Sequence, residues 1–373
     1  MIRVASLVSY KILPAKTGGQ RAITLLLSYL SQRVSLTCYG TDDNETAPAP
    51  PFTFIPFFGS SRLRYINPLN FFRMRKEIRR TKATHILLEH PYWGWLGILL
   101  QLSTGAQLVV RSHNIESLRF RSMGRWWWQI LKWYERFTHR RARLNFFITE
   151  EDRHYALQHF GLNPAKCVVI TYGTGQTVPP SLAARRAAKA MICARHQLNA
   201  SAPLFFYNGT LDYLPNRIGL DMIIDKISPA LTAKGLAHTV LVSGSKLPSS
   251  YQEKMQQGNV RYTGFVPDIE SYFLAADVFL NPVMGGGGIK TKLVEALAAG
   301  TTSVSFTNGA FGIPVNICGE KLRVVEDGNI NAFIDAAEES TRQEEQLMPQ
   351  QFYDHFSWEA IAKKATESLQ STL

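Results

Sequence analysis

Two successive series of short, β-rich apolar runs, with helix-like stretches between most of them, constrain this chain more than any other feature. The first series comprises Ile2–Val8, Val34–Tyr39, His85–Glu89, Gln107–Arg111, Asn145–Thr149 and Val168–Tyr172. It stops at the segment GTGQTVPP, residues 173–180. After an Ala/Arg-rich stretch over 183–195, a second series runs through Pro203–Tyr207, Thr239–Ser243, Val260–Thr263, Val278–Pro282, Thr302–Phe306 and Leu322–Val325. One β/α unit after another predicts a parallel sheet with helices on both faces. Two such series predict an α/β chain of two facing, Rossmann-like doubly wound domains. The expected divisions are a first domain over 1–176, a linker or solvent-facing helix over 177–200, and a second domain over 201–356. With 373 residues, 45% of them hydrophobic, the chain can bury two ordinary cores.

Several classes drop out on composition. The four cysteines, Cys38, Cys167, Cys193 and Cys318, are widely spaced and form no C-x2-C pair, which argues against a disulfide framework or structural zinc and fits a reducing cytosol. The apolar run Ala22–Leu30 is about half the roughly 20 residues of a membrane-spanning helix and has no basic lead, so neither secretion nor a transmembrane anchor is expected. Charge is unevenly placed. Residues 1–180 carry 24 Lys/Arg against 10 Asp/Glu, whereas 181–373 carry 17 against 19. A basic first half points to an anionic partner, either nucleic acid or a lipid surface. No nucleic-acid-binding motif accompanies it, which favours the lipid surface.

Ligands of doubly wound sheets sit at the carboxyl ends of the strands, so the loops after strands are where chemistry is expected. Lys16-Thr17-Gly18-Gly19-Gln20 opens a helix, with free amides suited to an anion or a sugar hydroxyl. Ser112-His113-Asn114-Ile115-Glu116 brings an imidazole, an amide and a carboxylate out of a buried strand. Asn208-Gly209-Thr210 follows the first strand of the second series, and Pro215 suits the start of the next helix. The strongest signal is Gly285 to Gly288 followed by Ile289-Lys290-Thr291-Lys292-Leu293-Val294-Glu295. Four glycines let bare backbone wrap a diphosphate, the helix behind them aims its positive end at the charge, and two lysines supply cations. Glu295 is placed to reach ribose hydroxyls. The glycine spacing fits neither a Walker loop nor G-x-G-x-x-G after the first strand, and there is no H-E-x-x-H or G-x-S-x-G. Asp42-Asp43 lacks an obvious third ligand, so no metal site is expected.

Taken in order, these loops resemble the retaining GT-B glycosyltransferases of family 4, bacterial sugar transferases that build surface polysaccharides and glycolipids. The resemblance is carried also by Ile148-Thr149-Glu150-Glu151-Asp152, by Gly264-Phe265-Val266-Pro267-Asp268, by Glu295-Ala296-Leu297-Ala298-Ala299-Gly300 and by Phe356-Ser357-Trp358-Glu359. It implies transfer from a nucleotide-sugar donor to a hydroxyl of a glycan or lipid-linked acceptor, with retention and without metal or other cofactor. It implies that Val266 backbone meets the base, Glu295 the ribose, and Gly287, Gly288, Ile289, Lys290 and Lys292 the diphosphate, with Gly209 and Thr210 beside them. Gly18, Gly19, Gln20, His113 and Glu116 would border the transferred sugar and the acceptor, with His113 and Lys292 closest to the chemistry. The helix over 357–373 would cross back to the first domain.

Two departures stand out. Gly287 occupies the position where the family often has a glutamate, and the usual Arg and Lys after the glycine at 209 are missing, which leaves the phosphate to Lys290 and Lys292. Two other classes share these features. One is a nucleotide-sugar epimerase using Glu116 and His113, and the other is a non-catalytic protein that binds a nucleotide sugar or a membrane surface. A cytoplasmic protein bound peripherally to the inner membrane face is expected. Arg62–Lys82 and Leu118–Arg143 each hold eight Lys/Arg against one acid. In the second of these, Trp127, Ile130, Leu131, Tyr134 and Phe137 read as a core-facing stripe, with Trp126 and Trp133 off it.

Overall fold

The computed structural model describes residues 1–256 and 258–373. Among these, the strands form two wholly parallel sheets. The first holds β1 (Arg3–Val8), β2 (Ser35–Thr41), β3 (Thr53–Phe58), β4 (His85–Glu89), β5 (Gln107–Ser112), β6 (Leu144–Phe147) and β7 (Cys167–Val169), in the order β3-β2-β1-β4-β5-β6-β7. The second holds β8 (Leu204–Thr210), β9 (Thr239–Ser245), β10 (Val260–Gly264), β11 (Val278–Asn281), β12 (Thr302–Phe306) and β13 (Leu322–Val325), in the order β10-β9-β8-β11-β12-β13. Both orders reverse direction once, between β1 and β4 and between β8 and β11. This is the doubly wound arrangement of the GT-B fold, in which a crevice opens where neighbouring connections leave toward opposite sides. β4 is buried along its whole length, as helices on both faces require.

The chain divides into two compact units, Met1–Gly175 with Phe356–Leu373, and Gln176–His355. The Ala/Arg-rich stretch is the helix Leu182–His196, a part of the second unit: Arg185 is buried and donates to the carbonyls of Ala299 and Ala276. β3 has no counterpart among the apolar runs read from the sequence. It follows a proline-rich segment and contains Pro56, a residue sheets tolerate at an edge, which is where β3 lies.

The C-terminal helix Trp358–Gln370 belongs to the first unit. Its start is stitched on by a short parallel bridge, in which the Thr174 amide donates to the Phe356 carbonyl at 2.7 Å and the Trp358 amide donates to the Thr174 carbonyl at 2.9 Å. Gly173 makes this approach possible, since a Cβ there would lie 2.8 Å from the Phe356 oxygen and 2.9 Å from the Trp358 ring. Trp358 is buried against the rings of Tyr29 and Tyr172. Removing so large a buried side chain costs about 3–5 kcal/mol. Trp358→Ala is therefore expected to lower the urea midpoint of the first unit with little change in slope, measured by equilibrium unfolding.

Candidate functional site

Side chains with chemical capacity gather at both points where strand order reverses. In the second unit, β8 ends on Asn208, Gly209 and Thr210, and β11 leads through Asn281 into the glycine run. Gly286 and Gly288 have φ of +87° and +70°, a left-handed backbone that side chains resist. Lys290 folds back over this loop, and its Nζ donates to the carbonyls of Gly286 and Gly288 at 2.9 and 3.0 Å. It shapes the loop. Lys292, in the first turn of the helix Thr291–Ala298, reaches the other way, toward β8. Its Nζ donates to the Asn208 carbonyl and to Asn216 Oδ1, both at 3.1 Å, and stands 4.6 Å from the centre of the Tyr207 ring.

Neither lysine has a carboxylate within ion-pair distance among the described residues. Burial pushes Lys290 down to about 8; burial and then the Lys290 charge push Lys292 down to about 7. Two partly desolvated ammonium groups without a counter-charge, set at the positive end of a helix, form a seat for an anion. Glu295 lies half-buried one turn further along the same helix. Gly287 is exposed. Ile289 is half-buried between the glycines and Lys290, while Val266 follows β10, two strands out from β8.

Asn216 closes the loop that begins at Asn208 and had no role assigned to it from the sequence. Its Nδ2 donates to the Thr210 carbonyl while its Oδ1 receives Lys292, so it ties the end of β8 to the lysine. A Cβ on Gly209 would come within 2.7 Å of that amide, which is why a glycine suits this position. The signal was present in the spacing of Gly209 and Asn216 across Pro215, but which side chain would meet the amide depends on the fold.

In the first unit, β4 ends on Glu89 and β5 on Arg111 and Ser112, followed by His113. Glu89 is buried and accepts from Arg111 at 3.1 Å and from His113 Nε2 at 2.8 Å. Burial works to raise its pKa, but the Arg111 charge and the His113 bond outweigh it and hold the carboxyl down to about 2. An ionised carboxylate only accepts, so the bonded Nε2 of His113 carries the proton. Burial first, then the charges of His90 and Arg111, keep this imidazole down to about 3. A neutral ring with its proton on Nε2 offers Nδ1 as an acceptor. His90, at φ +73°, stacks on His113 with ring centres 4.3 Å apart, and its Nε2 is 3.1 Å from the Tyr10 hydroxyl.

Glu116 differs from expectation. It is buried, and its carboxylate is bonded to His90 at 3.1 Å, Tyr92 at 2.7 Å and Arg119 at 3.1 Å. It orients His90 and Tyr92 instead of reaching outward, because the turn after His113 points it under the β4 loop. Gln20 is likewise engaged locally: its Oε1 accepts from the amides of Lys16 and Thr17 in a capping box. Gly18 and Gly19 open the helix Gly18–Ser31, and a Cβ on Gly19 would lie 4.0 Å from the Tyr10 hydroxyl. Tyr10, Glu89, His90 and Tyr92 were not singled out from the sequence. The rule that sends ligands to strand ends would have found the His90 loop, since it directly follows β4.

Among the described residues, no group of three or more His, Cys, Asp or Glu side chains is placed to hold a metal ion, and no helix is long and apolar enough to cross a membrane.

Comparison with known proteins agrees with the fold. Residues 16–174 match the family described as Glycosyltransferase Family 4, and residues 202–342 match Glycosyl transferases group 1. Three solved structures are similar in fold. A glycosyltransferase from Rickettsia africae is 13% identical with a TM-score of 0.74, over 100% of this chain and 98% of that one. The Anabaena protein HepE, in complex with UDP and glucose, is 14% identical with a TM-score of 0.71, over 100% of both chains. The lipopolysaccharide outer core galactosyltransferase WaaB is 11% identical with a TM-score of 0.67, again over 100% of both. No curated protein matches the sequence at a significant level.

The Glu89 network gives a test of its own. Because the folded pKa of His113 lies below its ordinary 6.5, its contribution to stability is present above pH 6.5 and is lost as pH falls from there toward 3. Its ring is expected to stay unprotonated at pH 5, read from imidazole NMR shifts. Glu89→Gln leaves Arg111 buried without its counter-charge, at a cost of about 3–5 kcal/mol. Thermal unfolding of the purified variant measures it.

Proposed function

Since this chain belongs to the glycosyltransferases of the GT-B fold, its halves matching the Family 4 and group 1 families, we propose that it moves a sugar from a nucleotide-sugar donor to a hydroxyl of a glycan or lipid-linked acceptor. One observation carries this reading: Lys292 and Lys290 stand without carboxylate partners at the reversal point of the second sheet, behind a glycine loop. That arrangement suits a diphosphate and little else. HepE, similar in fold, has been solved with UDP-glucose, which supports the same class of donor here.

In this reading Lys292 and the free amides around Gly287, Gly288 and Ile289 meet the charge that builds on the phosphate oxygen as the glycosidic bond breaks. Preorganised donors of this kind are usually the largest catalytic term, each worth about 3 kcal/mol. Lys290 holds the loop in shape for them. Glu295 takes the ribose hydroxyls and the Val266 backbone the base. The neutral His113 accepts a hydrogen bond from a sugar hydroxyl at Nδ1, and the Gly18 and Gly19 amides serve the acceptor. Charge on the leaving diphosphate is met by lysine and amides, so no divalent ion is required. The acceptor attacks from the face the diphosphate leaves, with retention.

We further propose that the first unit docks on an anionic membrane face, where a lipid-linked acceptor resides. The helix Trp128–Arg141 buries Glu135, Thr138 and His139 fully, while Trp127, Leu131, Tyr134 and Phe137 of the expected stripe are half-buried, Phe137 packing against the core of the first sheet. Gly94 lies so near Thr138 that only small or polar groups fit this contact, and Glu135 turns inward to cap the helix beginning at Glu116. Ile130, expected in the core, is 64% exposed, and Trp126 and Trp133 are 82% and 67% exposed. These three stand at i, i+4 and i+7 beside the exposed Arg136, Arg140 and Arg143. Leu63, Ile66, Leu69 and Phe72 are also exposed among basic residues. Aromatic and aliphatic tips flanked by guanidinium groups suit a headgroup layer.

Lys292→Ala is expected to cut turnover roughly a hundredfold while leaving the fold intact. Donor binding should raise the depressed Lys292 pKa and take up a proton near pH 8. Affinity should then fall by up to about tenfold per pH unit above 7, measured by calorimetry in buffers of different ionisation heat. Turnover unchanged after EDTA treatment checks the metal-free mechanism. Liposome sedimentation checks the membrane face. With about 1 kcal/mol per basic residue, binding should require anionic lipid, weaken as salt rises, and fall when Arg136, Arg140 and Arg143 are changed to Ser.

A further inference from the structure

The amino edge of the second sheet takes no part in the chemistry above, yet it holds a polar cavity of about 200 Å³. Residues at the starts of strands build its wall: Pro203 before β8, Asp277 before β11, Thr302 at the head of β12 and Lys321 before β13. Arg185 and Lys189, on the helix Leu182–His196, close one side. Most of the charge in this wall is already matched. Arg185 pairs with Glu345 at 3.0 Å and donates to the carbonyls of Ala299 and Ala276 and to the Thr301 hydroxyl. Lys189 pairs with Asp277 at 2.7 Å.

Lys321 is the exception among the cations of the wall. Only 4% of it is exposed, and its ammonium has neither a hydrogen bond nor an ion pair among the described residues. A buried charge without a partner costs several kcal/mol, and proteins normally satisfy such a group or neutralise it. Burial, with the Arg185 charge adding to it and the nearby Glu345 carboxylate opposing, pushes Lys321 down to about 8. The rim supplies exposed groups that exchange hydrogen bonds with hydroxyls, among them Ser201, Gln343 and Glu344, whose side chains make no hydrogen bond among the described residues. The space equals several water molecules at roughly 30 Å³ each, which is more than one phosphate needs.

We propose that this cavity binds a small phosphorylated polyol, with its phosphate on Lys321 and its hydroxyls on Ser201, Gln343 and Glu344. The site is separate from the donor seat, which lies at the carboxyl edge of the same sheet, and it does not depend on the donor reading. An anion here restores the lysine to its ordinary protonation while covering it, so the ligand shields Lys321 from amine-reactive reagents in two ways.

The test is residue-resolved acylation at pH 8, read by mass spectrometry, on the wild type and on Lys292→Ala, in which the donor seat lacks the cation that faces β8 and holds phosphate more weakly. Lys321 labelling is expected to fall at least about tenfold with a saturating hexose phosphate, because each unit of pKa recovered is a tenfold loss of free amine. The unphosphorylated hexose and acetate at equal concentration should protect little. Calorimetry should show hexose phosphate binding to Lys292→Ala and no binding once Lys321→Met is added. Should that double variant fail to fold, the labelling experiment stands alone. Lys321 labelling that does not respond to hexose phosphate, or that acetate suppresses equally, overturns the proposal.

Discussion

Parallel strand pairing is the constraint from which the rest of this protein follows. A parallel sheet needs a crossover between each pair of strands, and the crossovers cover both faces, so the strands become almost wholly apolar. Polar chemistry is then displaced to strand ends. Where the order of strands reverses, neighbouring crossovers depart to opposite sides and leave the carboxyl ends uncovered. Both clusters of functional side chains lie there: Tyr10, His90 and His113 near β1 and β4, and Asn208, Asn216 and Lys292 near β8 and β11.

The two clusters treat charge in opposite ways. In the first unit the charges of Glu89 and Arg111 balance and His113 bonds the same carboxylate, although Glu89 Oε1 and Arg111 Nε and Nη2 find no hydrogen-bond partner among the described residues, and Glu116 anchors His90, Tyr92 and Arg119. Such buried networks fix geometry tightly, since any member left unpaired is costly. The result is a histidine held neutral, with its tautomer chosen by an ionised carboxylate. In the second unit the lysines are left without counter-charges, and their depressed pKa values record that imbalance. A network whose charges balance suits recognition of neutral hydroxyls. A site deficient in negative charge suits an anionic ligand. The division of labour proposed along the chain thus has an electrostatic basis.

The loop of four glycines shows how one sequence feature serves two ends. Its left-handed residues, Gly286 and Gly288, turn two carbonyls toward Lys290, which is thereby occupied in holding the loop. Lys292 is left as the cation facing β8. From the sequence both lysines were expected at the diphosphate, with Lys292 the closer to the chemistry. Lys290 is the N-cap, with extended backbone, and Lys292 lies in the first helical turn, so the two side chains leave different backbone conformations in different directions.

The sequence by itself determined the architecture: alternating apolar runs specified two parallel sheets, and their order relative to the Gly-rich loops located the second cluster. Periodicity is a local property, and strand ends are positions along the chain, so both were legible. β3 escaped because an edge strand needs less apolar character and tolerates Pro56. Tertiary structure alone decided which polar groups meet. Glu116 turned inward to His90, Asn216 received Lys292 from 76 residues away, and Ile130 stood exposed while Glu135 was buried. Each of these outcomes depends on contacts between distant segments, where the energy of a buried polar group is set by the partner that another element delivers.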